Sequence, residues 1–123
     1  MQEDVVERLK SFGCELEPGD QTALLFAVDK TVDTIRNECN VGEIPDGLRL
    51  IAVDIACGEF LLAKKRSGQL SGFDVENAVK QIKSGDTTVT YAIADGPAAV
   101  DGLIDWLINA GRSQFAAFRR FAW

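Results

Sequence analysis

Between Ile44 and Gly68 the chain reads IPDGLRLIAVDIACGEFLLAKKRSG, and this stretch decides the fold. Pro45 suits a first helical turn, where a missing N–H costs no hydrogen bond. From Leu48 to Ala63 the apolar positions (48, 50–53, 55–57 and 60–63) go almost all the way round a helical wheel. A helix apolar on nearly every face is central, covered by neighbours on several sides. Lys64, Lys65 and Arg66 follow at its C-terminal end, where cations favour the helix macrodipole by about 0.3–1 kcal/mol each. They read as a solvated helix end rather than a phosphate-binding patch. Arg49, Asp54 and Glu59 interrupt the stretch, and a bilayer needs about 20 mostly apolar residues, so it is not a membrane span.

Upstream, Asp4 to Phe12 fits a short helix with Val5, Val6, Leu9 and Phe12 on its apolar side, ended by Gly13. Pro18, Gly19 and Asp20 make a break. Leu24, Leu25, Val28, Val32, Ile35 and Cys39 then recur at the spacing of one helical face, predicting a helix from about Gln21 to Glu38 closed by Asn40 and Gly42. Downstream, Ser67 to Gly72 is a flexible connection, and Asp74 caps a short helix carrying Val75, Ala78, Val79 and Ile82. Ser84-Gly85-Asp86 stops it. Residues Thr87 to Ile93 alternate in the manner of a strand, with Thr87, Val89, Tyr91 and Ile93 on one side. A lone strand needs a partner, here or in a neighbouring copy, so these four residues are a candidate intersubunit strand. Asp95-Gly96-Pro97 leads into a last amphipathic helix with Val100, Leu103, Ile104, Leu107 and Ile108, ended by Asn109-Ala110-Gly111. The expected fold is mainly α: a small helical bundle around a central buried helix at about 45–66, with a small β element at about 86–94 and an extended C-terminal tail. Residues 1–111 form one domain and 112–123 a separate docking tail.

A length of 123 residues suits that single domain, which should bury roughly two-thirds of its unfolded surface. Histidine is absent, which excludes Ser-His-Asp and Cys-His catalysis, His-ligated zinc and a histidine pH switch. Cys14, Cys39 and Cys57 have neither CxxC nor ligand spacing and read as reduced, buried, small apolar residues of a cytosolic product. The opening MQEDVVERLK is charged throughout, unlike a signal peptide. No glycine spacing matches a phosphate-binding loop.

The carboxylate pairs Asp29/Asp33 and Asp101/Asp105 lie four apart on predicted helices and read as solvated acidic faces rather than cation sites. Asp54 and Glu59 interrupt the most apolar helix, and a buried carboxylate must be paired or protonated. They are expected to reach solvent or to pair with Arg36, Arg49 or Lys64, within the chain or across a subunit boundary; an acid/base couple is the rival reading. No cofactor or metal is expected.

Charge is uneven. The whole chain carries −6, residues 1–111 carry −9, and Arg112 to Trp123 (RSQFAAFRRFAW) carry +3 in side chains. Such a body repels duplex DNA. The last twelve residues hold four of the ten aromatics, Phe115, Phe118, Phe121 and Trp123, with Arg112, Arg119 and Arg120. Aromatics and arginine are enriched at interface hot spots. Two readings of Phe115 and Phe118 stand at this level: a final turn packed on the domain, or part of a tail that plugs a groove on another subunit.

The Ile44–Gly68 helix, the GFDVENAVKQIKSGDTTVTYA segment at Gly72 to Ala92, the amphipathic helix after it and the terminal FRRFAW occur in one order. In that order the chain resembles the head-tail connector (adaptor, or head completion) proteins of tailed bacteriophages and their prophage relatives. The resemblance implies a mostly helical, non-enzymatic structural protein that forms a ring beneath the portal, dodecameric in the virion to match the portal's symmetry; in isolation, without the portal that organises it, monomer and ring are both expected states. It implies a virion location at the neck after synthesis in the host cytoplasm. Its partners would be the portal protein and a tail-side completion or stopper protein, with genome DNA passing through the channel without sequence-specific binding and with no membrane. The portal-docking residues would be Arg112, Phe115, Phe118, Arg119, Arg120, Phe121 and Trp123. Two rivals from other classes are a small helical nucleic-acid-binding or regulatory module using the basic aromatic tail, and a carboxylate hydrolase centred on Asp54 and Glu59.

Overall fold

The first helix, α1 (Gln2–Ser11), carries Glu3 and Asp4 in its first turn and Arg8 and Lys10 in its last, the arrangement the macrodipole favours. It stops where the sequence places Gly13, at φ +82°, with the Cys14 N–H donating to Leu9 O (3.0 Å) and the Gly13 N–H to Lys10 O (2.9 Å). These are the two bonds of a Schellman motif, and the left-handed φ is what calls for glycine. A 3₁₀ turn at Pro18–Asp20 leads into α2 (Gln21–Cys39), which ends on Asn40 in the left-handed region. A second 3₁₀ turn, Asp46–Leu48, opens α3 (Arg49–Arg66). The last α-helix is α4 (Ala99–Asn109). These assignments come from a computed structural model that describes residues 1–14, 16–68, 79 and 99–119.

The helix α3 packs against α1, α2 and α4 and is the hub of the molecule. Its buried residues, Ala52, Val53, Ile55, Ala56, Cys57, Gly58, Phe60, Leu61 and Lys64, face all round, as the continuous apolar run requires. Against α4 the approach is close. A Cβ built on Gly58 would lie 2.7 Å from Ile108 Cγ1 and 3.0 Å from Leu107 Cβ, and one on Gly111 would lie 2.6 Å from Ile51 Cγ2. Two glycines therefore set the α3–α4 spacing.

The interior divides in two. The larger cluster joins all four helices through Val5, Leu9, Leu24, Phe60, Leu61, Leu103 and Leu107, and Val79, expected on an apolar helical face, belongs to it. The smaller one holds Ile35, Cys39, Leu48, Ala52, Ile55 and Phe115 at the other end of α2 and α3. Each fully buried large side chain contributes roughly 1.5–3 kcal/mol. Thr31, buried among them, satisfies its hydroxyl by donating to Ala27 O at 2.8 Å.

The mainly helical expectation holds. The C-terminal segment departs from it in one respect: Arg112–Phe118 is a 3₁₀ helix and not an extended tail. A 3₁₀ helix has 3.0 residues per turn, so Arg112, Phe115 and Phe118 fall on one side. That side seats Phe115, 3% exposed, in the smaller cluster. There is no strand among the described residues. The expected β element at 86–94, with Thr87, Val89, Tyr91 and Ile93, lies outside them.

Candidate interaction surface

The residues singled out in the C-terminal segment are brought together by α2. Arg112 Nη1 donates to Glu38 Oε1 at 3.0 Å, and its Nε donates to Ile108 O at 3.2 Å. Arg119 Nε donates to the backbone carbonyl of the same Glu38 at 3.1 Å. Phe115 fills the core between them, and its own carbonyl accepts the Cys39 thiol at 3.7 Å. Phe118 lies over Gly47 so closely that a Cβ there would meet its ring at 2.4 Å. Arg112, Phe115, Phe118 and Arg119 are thus seated on the body, and Arg120, Phe121 and Trp123 lie outside the described residues.

Composition did not point to Glu38 or Gly47, the two residues that receive this segment. One signal was present: Arg112, Phe115 and Phe118 recur every three residues, which is 3₁₀ spacing rather than tail spacing. Beside the seat lies an open groove of about 700 Å³ between the 41–46 loop and residues 117–119. Its floor is the half-buried Val41, Ile44, Pro45 and Phe118, and its rim carries Glu43, Asp46 and the exposed Arg119, so both signs of charge line it.

The carboxylates of α3 do not form a couple. Asp54 accepts from Arg8 Nε at 3.0 Å and Glu59 from Lys30 Nζ at 3.0 Å, on two different helices. Pairing with a base was expected, but neither partner is Arg36, Arg49 or Lys64. Arg49 instead bonds Asp4, and Lys64 donates to Asp20 Oδ2 at 3.0 Å in a buried pair. Burial raises the Asp54 carboxyl above the usual carboxylate range, with the Arg8 charge and hydrogen bond offsetting part of the effect. Burial also pushes Asp20 up, but the Glu17 N–H and the Lys64 ammonium together outweigh it and leave the group below its ordinary value.

The three cysteines are buried and free. Burial raises all three thiols, Cys57 furthest, and a nearby carboxylate adds to it in each case (Asp20 for Cys14, Glu38 for Cys39 and Asp54 for Cys57), so none is poised as a nucleophile. Asp29 and Asp33 are exposed on α2; Asp101 pairs with Lys65, and Asp105 accepts from Asn109 one turn on. Among the described residues no group of three or more Cys, Asp or Glu side chains is placed to hold a metal ion. No described helix is long and apolar enough to cross a membrane. No protein-family model matches the chain, and comparisons with curated proteins and with solved structures also return no match.

Proposed function

We propose that this chain is a structural head-tail connector of a tailed bacteriophage or prophage: a non-enzymatic, ring-forming protein under the portal that joins the DNA-filled head to the tail and helps form the DNA exit channel. The observation that carries the reading is the seating of the C-terminal segment. Arg112, Phe115 and Phe118 bind it to the body and Arg119 is tied to Glu38, so the terminal Arg-Phe-Ala-Trp follows from a fixed base. A short aromatic, cationic end on a body of opposite charge suits insertion into a groove of another protein. With Arg112 and Phe115 committed to the body, the docking contacts are Arg119, Arg120, Phe121 and Trp123. The portal as the receiving protein, a tail-side stopper as the second partner and the twelve-fold ring rest on the resemblance of the Ile44–Gly68 and Gly72–Ala92 segments. A net-negative ring lets DNA slide through without sticking.

Deleting residues 119–123 tests the reading. The truncated chain is expected to keep its helical circular dichroism and to lose binding to isolated portal rings. Portal binding equal to that of the intact chain would overturn the assignment. Retention of duplex DNA by the intact chain at low salt, lost on truncation, would favour the nucleic-acid-binding module instead.

A further inference from the structure

The interior is split, and one part of it is closed by a segment that owes its place to few contacts. The smaller cluster, between α2 and the start of α3, is covered by the 3₁₀ helix Arg112–Phe118. Phe115 is the one buried side chain of that helix; Ser113, Gln114, Ala116 and Ala117 are exposed, and Arg112 and Phe118 are half-buried. Both arginine ties end on a single residue, Glu38. The Arg112–Glu38 pair leaves 34% and 38% of its side chains in solvent, so water and salt screen it, and the Arg119 bond is exposed. Seven residues is also long for a 3₁₀ helix, whose poorer hydrogen-bond geometry makes runs beyond three or four residues uncommon. Few buried side chains and exposed backbone are the marks of a unit that opens at low cost.

The larger cluster is held differently. It joins α1, α2, α3 and α4, and none of residues 112–118 belongs to it. Lifting the C-terminal 3₁₀ helix therefore leaves its packing in place. The cysteines fall on both sides of this division. Cys57 lies in the larger cluster, whereas Cys39 lies in the smaller one and donates its thiol to the Phe115 carbonyl at 3.7 Å, directly beneath the segment.

We infer that residues 112–118 are a releasable strap: they leave α2 as one unit, lifting Phe115 out of the cleft formed by Ile35, Leu48, Ala52 and Ile55, while α1 to α4 stay packed on the larger cluster. The smaller cluster thus has an open state of its own, and Phe115 is the plug that shuts it. While the plug is seated, the cleft is closed to any other occupant. Release needs no partner and is independent of the portal assignment.

Thiol labelling of the full chain tests this, because a buried thiol reacts only when its cover opens. The rate at each cysteine is read by mass spectrometry and referred to that thiol's rate in the urea-unfolded chain. Cys39 is expected to react at least about tenfold faster than Cys57, and with a weaker dependence on urea, since release exposes little surface. Phe115→Ala should speed Cys39 at least about tenfold, and the milder Arg112→Ala several-fold. Leu9→Ala, in the larger cluster on α1, should speed Cys57 at least about tenfold and leave Cys39 unchanged, because the larger cluster is intact when the strap is off. If Leu9→Ala does not fold, Val5→Ala makes a smaller truncation in the same cluster. Cys39 reacting no faster than Cys57, or Leu9→Ala speeding both alike, would mean that the smaller cluster opens only with the whole molecule and would overturn the strap. Fast labelling of Cys39 that ignores both Phe115→Ala and Arg112→Ala would place its exposure in fraying of α2 and overturn it equally.

Discussion

Asp20 and Asp54 both face a cation, yet their surroundings push them in opposite directions, and stability should follow each with its own sign. Asp20 is 5% exposed, accepts hydrogen bonds from the Glu17 N–H and Lys64, and is held below its ordinary value. Its contribution is therefore present above the unfolded-state value near ~3.9 and is lost as pH falls through the lower folded value. Asp54 is raised in the folded state, so the folded chain takes up a proton first, and its contribution grows as pH falls from the raised value toward ~3.9. Urea midpoints measured from pH ~7 down to ~3 should rise slightly and then fall. Asp54→Asn is expected to remove the rise. Asp20→Asn should cost about 3–5 kcal/mol near neutrality by leaving the Lys64 ammonium buried without its partner, and that cost should shrink below pH ~4. A pH-independent cost of Asp20→Asn would rule out the linkage.

At the scale of elements, α2 runs one residue past its expected end, and α1 stops at Gly13 as foreseen, because caps and apolar spacing are local properties. Cross-helix partners are not local. Asp54 meets Arg8 and not Arg49 because the α1–α3 crossing decides which charges come within reach, and spacing along one helix does not encode a crossing. The Ala-Cys-Gly run at 56–58 was a partial signal, since small residues on a helix permit close approach. Gly58 makes this testable. Alanine is the better helix former by about 1 kcal/mol, so an exposed Gly58→Ala would stabilise. Here the added methyl meets Ile108, Leu107 Cβ and the Ile104 carbonyl at 3.3 Å or less, and two of those atoms cannot swing away. Overpacking costs about 1–3 kcal/mol, so the net effect is expected to be destabilising, read as a lower urea midpoint with an unchanged slope. A raised midpoint would mean that α3 and α4 separate easily.

For the molecule as a whole, the question is where the body ends. The charge change at Arg112 placed the boundary of the docking segment there, because composition registers sign and aromatic content but not whether a given phenylalanine is buried. Packing places the boundary later. Phe115 belongs to the smaller cluster with Ile35, Cys39, Leu48, Ala52 and Ile55, and the half-buried Arg112 is bonded to Glu38, so the basic segment is anchored on one face through Phe118 while Ser113, Gln114, Ala116 and Ala117 are exposed, and the anchoring side chains give way to the exposed Arg119. The two halves of the segment should therefore differ in energy. Phe115→Ala empties a buried site and is expected to cost about 3–5 kcal/mol. Removing residues 119–123 takes from the described contacts two hydrogen bonds of the exposed Arg119, its Nε to the Glu38 carbonyl and its backbone N–H to Ala116 O at 3.4 Å, and should cost no more than about 1–2 kcal/mol. Thermal unfolding followed by circular dichroism separates the cases: a large fall in Tm for Phe115→Ala beside a small one for the deletion fixes the boundary at Arg119. A deletion as damaging as Phe115→Ala would instead make the terminal residues part of the core and take from them the freedom that docking requires.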